Sequence, residues 1–156
     1  MDNYVSRRES CRLCDSEKLI LVMPILPSPI ADAFVGPDKK DQVQPIMPLD
    51  LYQCQDCGHA QNLDIVNPDL LFRDYIFRTS NSAGLVKHFG QYADEVARDF
   101  NLSANSLVLE IGSNDGTLLQ FFKDKNMRVQ GIDPALNIAK LASEDGIPTV
   151  PDFFTT

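Results

Sequence analysis

Four cysteines in two closely spaced pairs are the residues of this 156-residue chain whose spacing points most directly to chemistry. Two residues separate the thiols of each pair, which are Cys11 and Cys14 in the first pair and Cys54 and Cys57 in the second. A tight turn with this spacing aims both sulfurs at one ion, and two facing turns complete a tetrahedral shell. The sequence therefore predicts a Zn²⁺ site with these four ligands. Two disulfides or four free thiols are the alternatives, and the neighbouring His59 is predicted to be a bystander.

The composition argues against several classes of protein. The chain is 44% hydrophobic and 23% charged, which is typical of a globular protein. Its net charge of −8 is spread over both halves, so neither half has the surplus of cations that a duplex nucleic-acid binder needs. The longest apolar run is far short of the roughly 20 residues that span a bilayer, and no apolar core of a secretory signal is visible. We expect a cytoplasmic protein without nucleic-acid or membrane partners, and disulfides are rare in that reducing compartment.

A glycine loop is the second motif with chemical meaning. It begins at Gly112, directly after a buried-strand pattern, and ends at Gly116, directly before a helix pattern. A dinucleotide site has a further glycine between them, where this chain carries Asn114, and Asp115 adds a negative charge. Such a loop suits a cationic ligand such as S-adenosylmethionine, whose sulfonium and amino groups Glu110 and Asp115 would face. The same change disfavours a nicotinamide-dependent oxidoreductase, and a bare turn without a ligand is the simplest alternative.

Strand and helix patterns alternate around this loop. Strands are predicted at 106–111, 127–132 and from 147, with helices from 117 and at 135–144. This order predicts right-handed crossovers and a parallel, Rossmann-like sheet, which binds ligands at the carboxyl ends of its strands. Asp133 ends the second strand, where a carboxylate accepts the hydroxyls of a ribose. Asp152 and Phe153 follow the third strand and are candidates for contacts with an adenine ring.

A connector with hydroxyl and aromatic side chains precedes the glycine loop. A short helix is predicted to start at Asn67–Pro68, and an amphipathic helix at 83–100, whose apolar face is expected to dock onto a sheet or, alternatively, onto a partner. Between them lie Tyr75, Thr79, Ser80 and Ser82. These side chains either cap a helix and satisfy a loop, or line the mouth of a ligand pocket. The residues alone leave both interpretations open.

The patterns together predict an α/β fold in three parts. Residues 1–66 form a zinc-binding ribbon module, in which two strands, 19–23 and 48–52, flank a long proline-rich loop. Residues 67–104 form the helical connector, which carries the candidate pocket-lining side chains. Residues 105–156 form the start of the Rossmann-like domain, with patterns for two strands and the beginning of a third.

The chain resembles the zinc-containing, S-adenosylmethionine-dependent sugar C-methyltransferases. The matching segments are CRLC at 11–14, PLDLYQC at 48–54, FRDY at 72–75, SNS at 80–82, VLEIGSNDGTLL at 108–119 and DFF at 152–154. The resemblance implies that the four cysteines bind zinc, that the glycine loop binds S-adenosylmethionine and that the connector contributes Tyr75, Ser80 and Ser82 to the substrate pocket. The full set of expected cofactor-binding residues is Glu110, Gly112, Ser113, Asn114, Asp115, Gly116, Asp133, Pro134, Asp152 and Phe153.

The resemblance also implies a reaction. A base removes the proton next to the ketone of a nucleotide-linked keto-deoxysugar, and the resulting enolate carbon takes the methyl group. Members of the family continue beyond the equivalent of Thr156 with their acid and base groups, so we expect the catalytic residues there and expect this chain to be truncated and inactive alone. The alternative from another class is a non-catalytic zinc-ribbon module for protein interaction, with a partial α/β unit.

Overall fold

The structure is a computed structural model that describes residues 4–155. It is mixed α/β, as predicted, and its contacts divide into two compact units, one ending at Leu71 and the other beginning at Phe72. The elements are β1 Val5–Arg7, β2 Leu19–Met23, β3 Ser28–Pro29, β4 Ile46–Met47, β5 Leu51–Cys54, β6 Ala60–Asn62, β7 Asp64–Val66, α1 Pro68–Phe72, α2 Ala83–Asp99, β8 Leu107–Ile111, α3 Thr117–Lys123, β9 Arg128–Ile132, α4 Leu136–Glu144 and β10 Thr149–Val150. The proposed three-part division of the chain stays a prediction.

The first unit is built from short antiparallel strands. β5 lies between β2 and β6, while β1 pairs with β7 and β3 with β4. The predicted strand at 19–23 is confirmed as β2, but the predicted strand at 48–52 lies later, as β5. Pro48 has no N–H for a ladder, and the Asp50 carboxylate accepts a hydrogen bond from Ile25 N at 2.9 Å. These residues therefore form the irregular segment that precedes the strand.

The pairing of β1 with β7 is the part of this unit that the sequence did not predict. It sets Val5 opposite Val66 and Arg7 opposite Asp64, whose side chains form an ion pair at 2.8 Å. Strands of three residues are too short to show an alternating pattern. Only the tertiary structure therefore reveals that the chain closes this unit by bringing its two ends together.

The second unit contains a parallel sheet in the order β10–β9–β8. The helix patterns at 83–100, from 117 and at 135–144 are confirmed as α2, α3 and α4. Both crossovers have the same sense, so α3 and α4 cover one face of the sheet. There Val108 and Val129 pack against Phe122 and Leu119 of α3, and against Ala142 of α4. The apolar face of α2 was predicted to dock onto a sheet, but it packs mainly against α3, where its Ala93 joins Phe122 in one core.

On the opposite face of this sheet, the side chains of β8 are apolar and exposed. Leu107, Leu109 and Ile111 of β8 are 48–58% exposed, whereas Val108 between them packs against helices. The alternation follows from the period of two in a strand, because only one face has helices on it. In the described part of the chain, no helix combines the length and the apolar character needed to cross a membrane.

Candidate functional site

The four predicted metal ligands lie together in the first unit. Their sulfur atoms are all within 4.8 Å of one another, with Cys11 Sγ 3.7 Å from Cys57 Sγ and Cys14 Sγ 3.6 Å from Cys54 Sγ. A tetrahedral ion with Zn–S bonds of about 2.3 Å places its ligands about 3.8 Å apart, whereas a disulfide needs about 2.05 Å. The cluster therefore fits a four-thiolate zinc ion and is not a pair of disulfides.

Each cysteine pair is held by the same local geometry. The carbonyl of Cys11 accepts a hydrogen bond from Asp15 N at 2.9 Å, and that of Cys54 accepts one from Gly58 N at 2.9 Å. Asp15 and Gly58 both have a positive φ, of 57° and 77°, so the chain turns sharply after the second cysteine of each pair. The backbone of His59 contacts the second pair, since its carbonyl accepts from Cys54 N and its N–H donates to the Cys57 sulfur, but its side chain lies outside the cluster, as predicted.

The electrostatics of the thiols favour a cation. Burial opposes ionisation of Cys11, but N–H donors of Leu13 and Cys14 outweigh it and lower the pKa of its thiol to about 6. The Ser16 N–H favours the Cys14 thiolate, but the sulfur of Cys57 and burial outweigh it and raise the Cys14 pKa to about 12. The pKa of Cys54 is lowered as well, mainly by the N–H of Cys57, whereas that of Cys57 is raised, so two thiols ionise readily and their two neighbours do not. A divalent ion removes the repulsion between the sulfurs and holds all four as thiolates.

The glycine loop of the second unit is fastened to the end of β9. Gly112 N and Ser113 N donate to the carbonyl of Ile132 at 2.8 and 3.2 Å, and Asn114 N donates to Asp133 Oδ2 at 2.7 Å. The other oxygen of Asp133 accepts from Ala135 N at 2.9 Å, and the residue is only 7% exposed. The predicted ribose carboxylate therefore also holds two loops together, with Pro134 in the turn between.

Asp115 caps helix α3. Its Oδ1 accepts from the Thr117 hydroxyl at 2.6 Å and its Oδ2 from Ser80 N at 3.0 Å. Burial opposes the charge, but the hydrogen bonds from Ser80 and Thr117 outweigh it and lower the pKa of Asp115 below its ordinary value. Asp115 is therefore ionised at neutral pH, but its oxygens already have partners within the protein.

Glu110 lies beneath the loop and has a different environment. Its Oε2 is buried and has no hydrogen-bond partner among residues 4–155, and the same is true of the Ser113 hydroxyl. Burial, and next the negative charges of Asp133 and Asp115, raise the pKa of Glu110 to about 7. Three carboxylates thus meet at the carboxyl edge of the sheet, and one of them carries an unsatisfied oxygen.

Residues 73–80, which we call the strap, run along this edge within the second unit. The carbonyl of Arg73 accepts from Leu136 N at 3.3 Å, and that of Tyr75 accepts from Asn137 Nδ2 at 3.1 Å. Further along, the strap bonds to the glycine loop through three of its residues, Phe77, Thr79 and Ser80. Of the two interpretations of the connector, the structure thus places Thr79 and Ser80 against the loop. Sequence spacing gave no signal for these contacts.

Asp152 and Phe153, which were predicted to contact an adenine ring, both contact Arg73. Its guanidinium lies 4.6 Å from the centre of the Phe153 ring, forms an ion pair with Asp152 at 2.9 Å and donates to the Pro151 carbonyl at 3.4 Å. The Phe153 N–H and Arg73 lower the pKa of Asp152. An adenine ring would therefore meet a segment that is already held to the strap.

The remaining predicted residues have more local roles. The Ser82 hydroxyl accepts from Leu85 N at 3.4 Å and caps α2. Gly112 has a φ of 73° and open space where a side chain would be, as expected for close approach of a ligand. Gly116 was expected to let a helix begin against a ligand, but a Cβ there would lie 2.9 Å from Ile147. Its lack of a side chain serves packing inside the protein.

A cavity of about 300 Å³ lies beside the end of the strap. Its walls include the apolar side chains of Val86, Phe121 and Leu141, and its polar lining includes Arg78 and Ser80. Apolar walls with a few convergent polar groups are typical of small-molecule sites. Ser80, a predicted substrate residue, therefore borders both this cavity and the glycine loop.

Comparison with known proteins supports the predicted resemblance. Residues 11–72 match the protein family described as "Putative zinc binding domain". The chain is 30% identical over 155 residues to the C-methyltransferase NovU of Streptomyces niveus. The aligned region covers 99% of this chain and 37% of that protein. The chain therefore spans little more than a third of the length of the curated relative that it matches.

Proposed function

We propose that the chain supplies the zinc module and part of the cofactor site of an S-adenosylmethionine-dependent C-methyltransferase. Its substrate is a nucleotide-linked keto-deoxysugar, and the methyl group is added to a carbon next to the ketone. The similarity to a C-methyltransferase supports the reaction class. The zinc-binding match over residues 11–72 supports the metal module.

The observation that carries this proposal is the set of carboxylates around the glycine loop. Glu110, Asp115 and Asp133 interact electrostatically, and Glu110 keeps a buried oxygen without a partner in the described part of the chain. Such an arrangement is unfavourable by itself, because like charges and burial both penalise ionisation. The negative charges of the carboxylates would attract a cationic ligand and would repel the pyrophosphate of a nicotinamide cofactor.

The residues present fit S-adenosylmethionine on chemical grounds. Bound S-adenosylmethionine supplies an electrophilic methyl group on a positively charged sulfur. Glu110 would balance that charge, Asp133 would hold the ribose and the backbone at Gly112 would allow close approach, since a side chain there would meet open space. The main contribution of these residues is to place charge and to orient the reactants.

The strap and the cavity beside it supply the substrate side of this proposal. Ser80 offers a hydroxyl at the cavity wall, which also carries the cation of Arg78 and the carboxylates of Asp115 and Asp145. Neither described histidine is placed as the base, because His88 is exposed on α2 and stacks near Tyr92, and His59 is in the zinc module. No residue of the described part of the chain is therefore assigned as the base.

Calorimetric titration of the chain at pH 8 tests the cofactor assignment. S-adenosylmethionine is expected to bind saturably, and Glu110→Gln is expected to weaken it by about tenfold because a charge pair is lost. S-adenosylhomocysteine lacks the sulfonium charge and should lose less affinity in the same variant. Glu95→Gln, the same change at an exposed position of α2, is the matched control and should change neither ligand.

Three outcomes would count against the proposal. Binding of a nicotinamide cofactor instead of S-adenosylmethionine would favour an oxidoreductase. If Glu110→Gln lost the same affinity for S-adenosylmethionine and for S-adenosylhomocysteine, Glu110 would not interact with the sulfonium charge. Failure of the complete native polypeptide to methylate nucleotide-linked keto-deoxysugars, with zinc bound, would favour the non-catalytic interaction module.

A further inference from the structure

Asn114 uses its whole side chain on the strap. Its Oδ1 accepts hydrogen bonds from Thr79 N at 2.9 Å and from the Thr79 hydroxyl at 3.3 Å, while its Nδ2 donates to the carbonyl of Phe77 at 3.0 Å. Both functional atoms of the amide are therefore engaged with residues that precede it by 35 and 37 positions. The side chain therefore binds the connector and does not cradle a phosphate.

The backbone of Asn114 explains why this residue type is suited to the position. Its φ is 50°, in the left-handed region, which glycine adopts freely and asparagine tolerates better than most residues. Its backbone N–H donates to Asp133 Oδ2 at 2.7 Å. A glycine here would keep the backbone and this bond but would lose all three bonds to the strap. Asparagine therefore combines the turn with a specific attachment.

A hydrogen bond from the strap to the Asp115 carboxylate lies next to the Asn114 attachment. Ser80 N donates to Asp115 Oδ2 at 3.0 Å, so consecutive strap residues, Thr79 and Ser80, bond to consecutive loop residues. Thr79 is buried at 7% exposure, whereas Ser80 is exposed and lines the cavity. The attachment thus fixes the position from which the Ser80 hydroxyl is presented.

We propose that Asn114 is a positioning residue for the sugar substrate, which ties the substrate-lining strap to the cofactor loop and so sets the place of Ser80. The inference rests on the proposed function for the identity of the two ligands. It assigns Asn114 to the substrate side of the site rather than to the cofactor. A change at Asn114 should therefore affect the sugar more than S-adenosylmethionine.

Asn114→Gly tests the attachment directly, because it removes the side chain and keeps the backbone conformation. Amide hydrogen exchange of Thr79 in the ligand-free chain is expected to become at least about tenfold faster, since its acceptor is lost. Asn114→Asp keeps an acceptor for Thr79 but replaces the donor to Phe77 by a charge, so its exchange should be intermediate. Asn126→Gly is the matched control, an exposed asparagine with a φ of 63° in a different turn, and should leave Thr79 unchanged.

Kinetics of the complete native polypeptide test the substrate side. Asn114→Gly is expected to raise the KM for the nucleotide-linked sugar by about tenfold or more, and to shift the Kd for S-adenosylmethionine by less than about threefold. A purely structural defect would change both together. Asn114→Asp should give a smaller rise in KM than Asn114→Gly, in the order of their Thr79 exchange rates.

Two results would overturn the inference. Unchanged Thr79 exchange in Asn114→Gly would mean that Asn114 does not hold the strap, whatever the protein binds. A larger effect on S-adenosylmethionine than on the sugar would return Asn114 to the cofactor side. Failure of the wild-type protein to bind S-adenosylmethionine would instead contradict the proposed function, and the exchange experiment distinguishes that case because it needs no ligand.

Discussion

Replacing Glu110 by glutamine should stabilise the ligand-free protein in a pH-dependent way. Glutamine keeps the shape of the side chain and removes the charge that is half-buried beside Asp133 and Asp115. The wild-type carboxyl lowers the stability of the protein only when it is ionised. The variant should therefore be more stable than the wild type above neutral pH and nearly equal to it in acid.

The size of the effect follows from the pKa of Glu110. Each pKa unit corresponds to about 1.4 kcal/mol, so a rise from 4.5 to about 7 corresponds to about 3.4 kcal/mol of lost stability above pH 7. The carboxyl is partly exposed, and solvent screening reduces this to about 1–2 kcal/mol. Between pH 4.5 and 7 the folded protein holds a proton that the unfolded chain has released, so the free energy of unfolding falls as the pH rises through this window.

Urea unfolding followed by circular dichroism at pH 8 and pH 5.5 measures this difference, since α2, α3 and α4 dominate the helical signal of the described residues. Glu110→Gln should exceed the wild type at pH 8, and more than half of the gain should be lost at pH 5.5. Glu95→Gln, on the exposed side of α2, controls for the substitution itself. A gain that is the same at both pH values, or a variant less stable at pH 8, would refute the reasoning.

Two further predictions concern the metal and the glycine loop. The reduced protein should contain one zinc ion per chain by elemental analysis, because binding of structural zinc contributes about 10 kcal/mol or more and rests on the four thiolates. The Cys54→Ser variant should contain little zinc, and the His59→Ala variant should retain it. Loss of zinc in His59→Ala would contradict the four-cysteine assignment. Gly116→Ala should lower the free energy of unfolding by about 2–4 kcal/mol, since its Cβ would lie 2.9 Å from Ile147 as well as requiring a positive φ. Gly112→Ala has the positive φ without the clash and should cost only about 1 kcal/mol in the same urea titration, so equal losses would show that packing against Ile147 is unimportant.

Glu110 and the strap are two features of this site with opposite effects on stability. A buried carboxylate oxygen without a partner among residues 4–155, such as Glu110 Oε2, lowers stability in the absence of ligand, and such groups gather where a ligand is bound. The strap, by contrast, gains many hydrogen bonds from the loop that it covers. The first feature favours binding of a cation, and the second holds the strap against the glycine loop.

Much of the fold was predictable because its signals are local. The helices α2, α3 and α4 and the strands β8 and β9 were predicted within a few residues, since apolar periodicity and glycine boundaries lie within each segment. The zinc tetrad was predictable for a similar reason, because each pair needs only a tight turn. The β1–β7 pairing and the shift of β5 were not, because they depend on which distant backbone groups meet.

The sequence by itself thus determined the four thiol ligands, the strand and helix order and the presence of an acidic glycine loop. Only the tertiary structure decided that Asn114 bonds to the strap, that Arg73 covers Phe153 and that Asp133 joins two loops. The physical reason is the range of the interactions. Residue type and spacing encode turns and faces, whereas a hydrogen bond between residues 35 or more positions apart exists only once the sheet has brought them together.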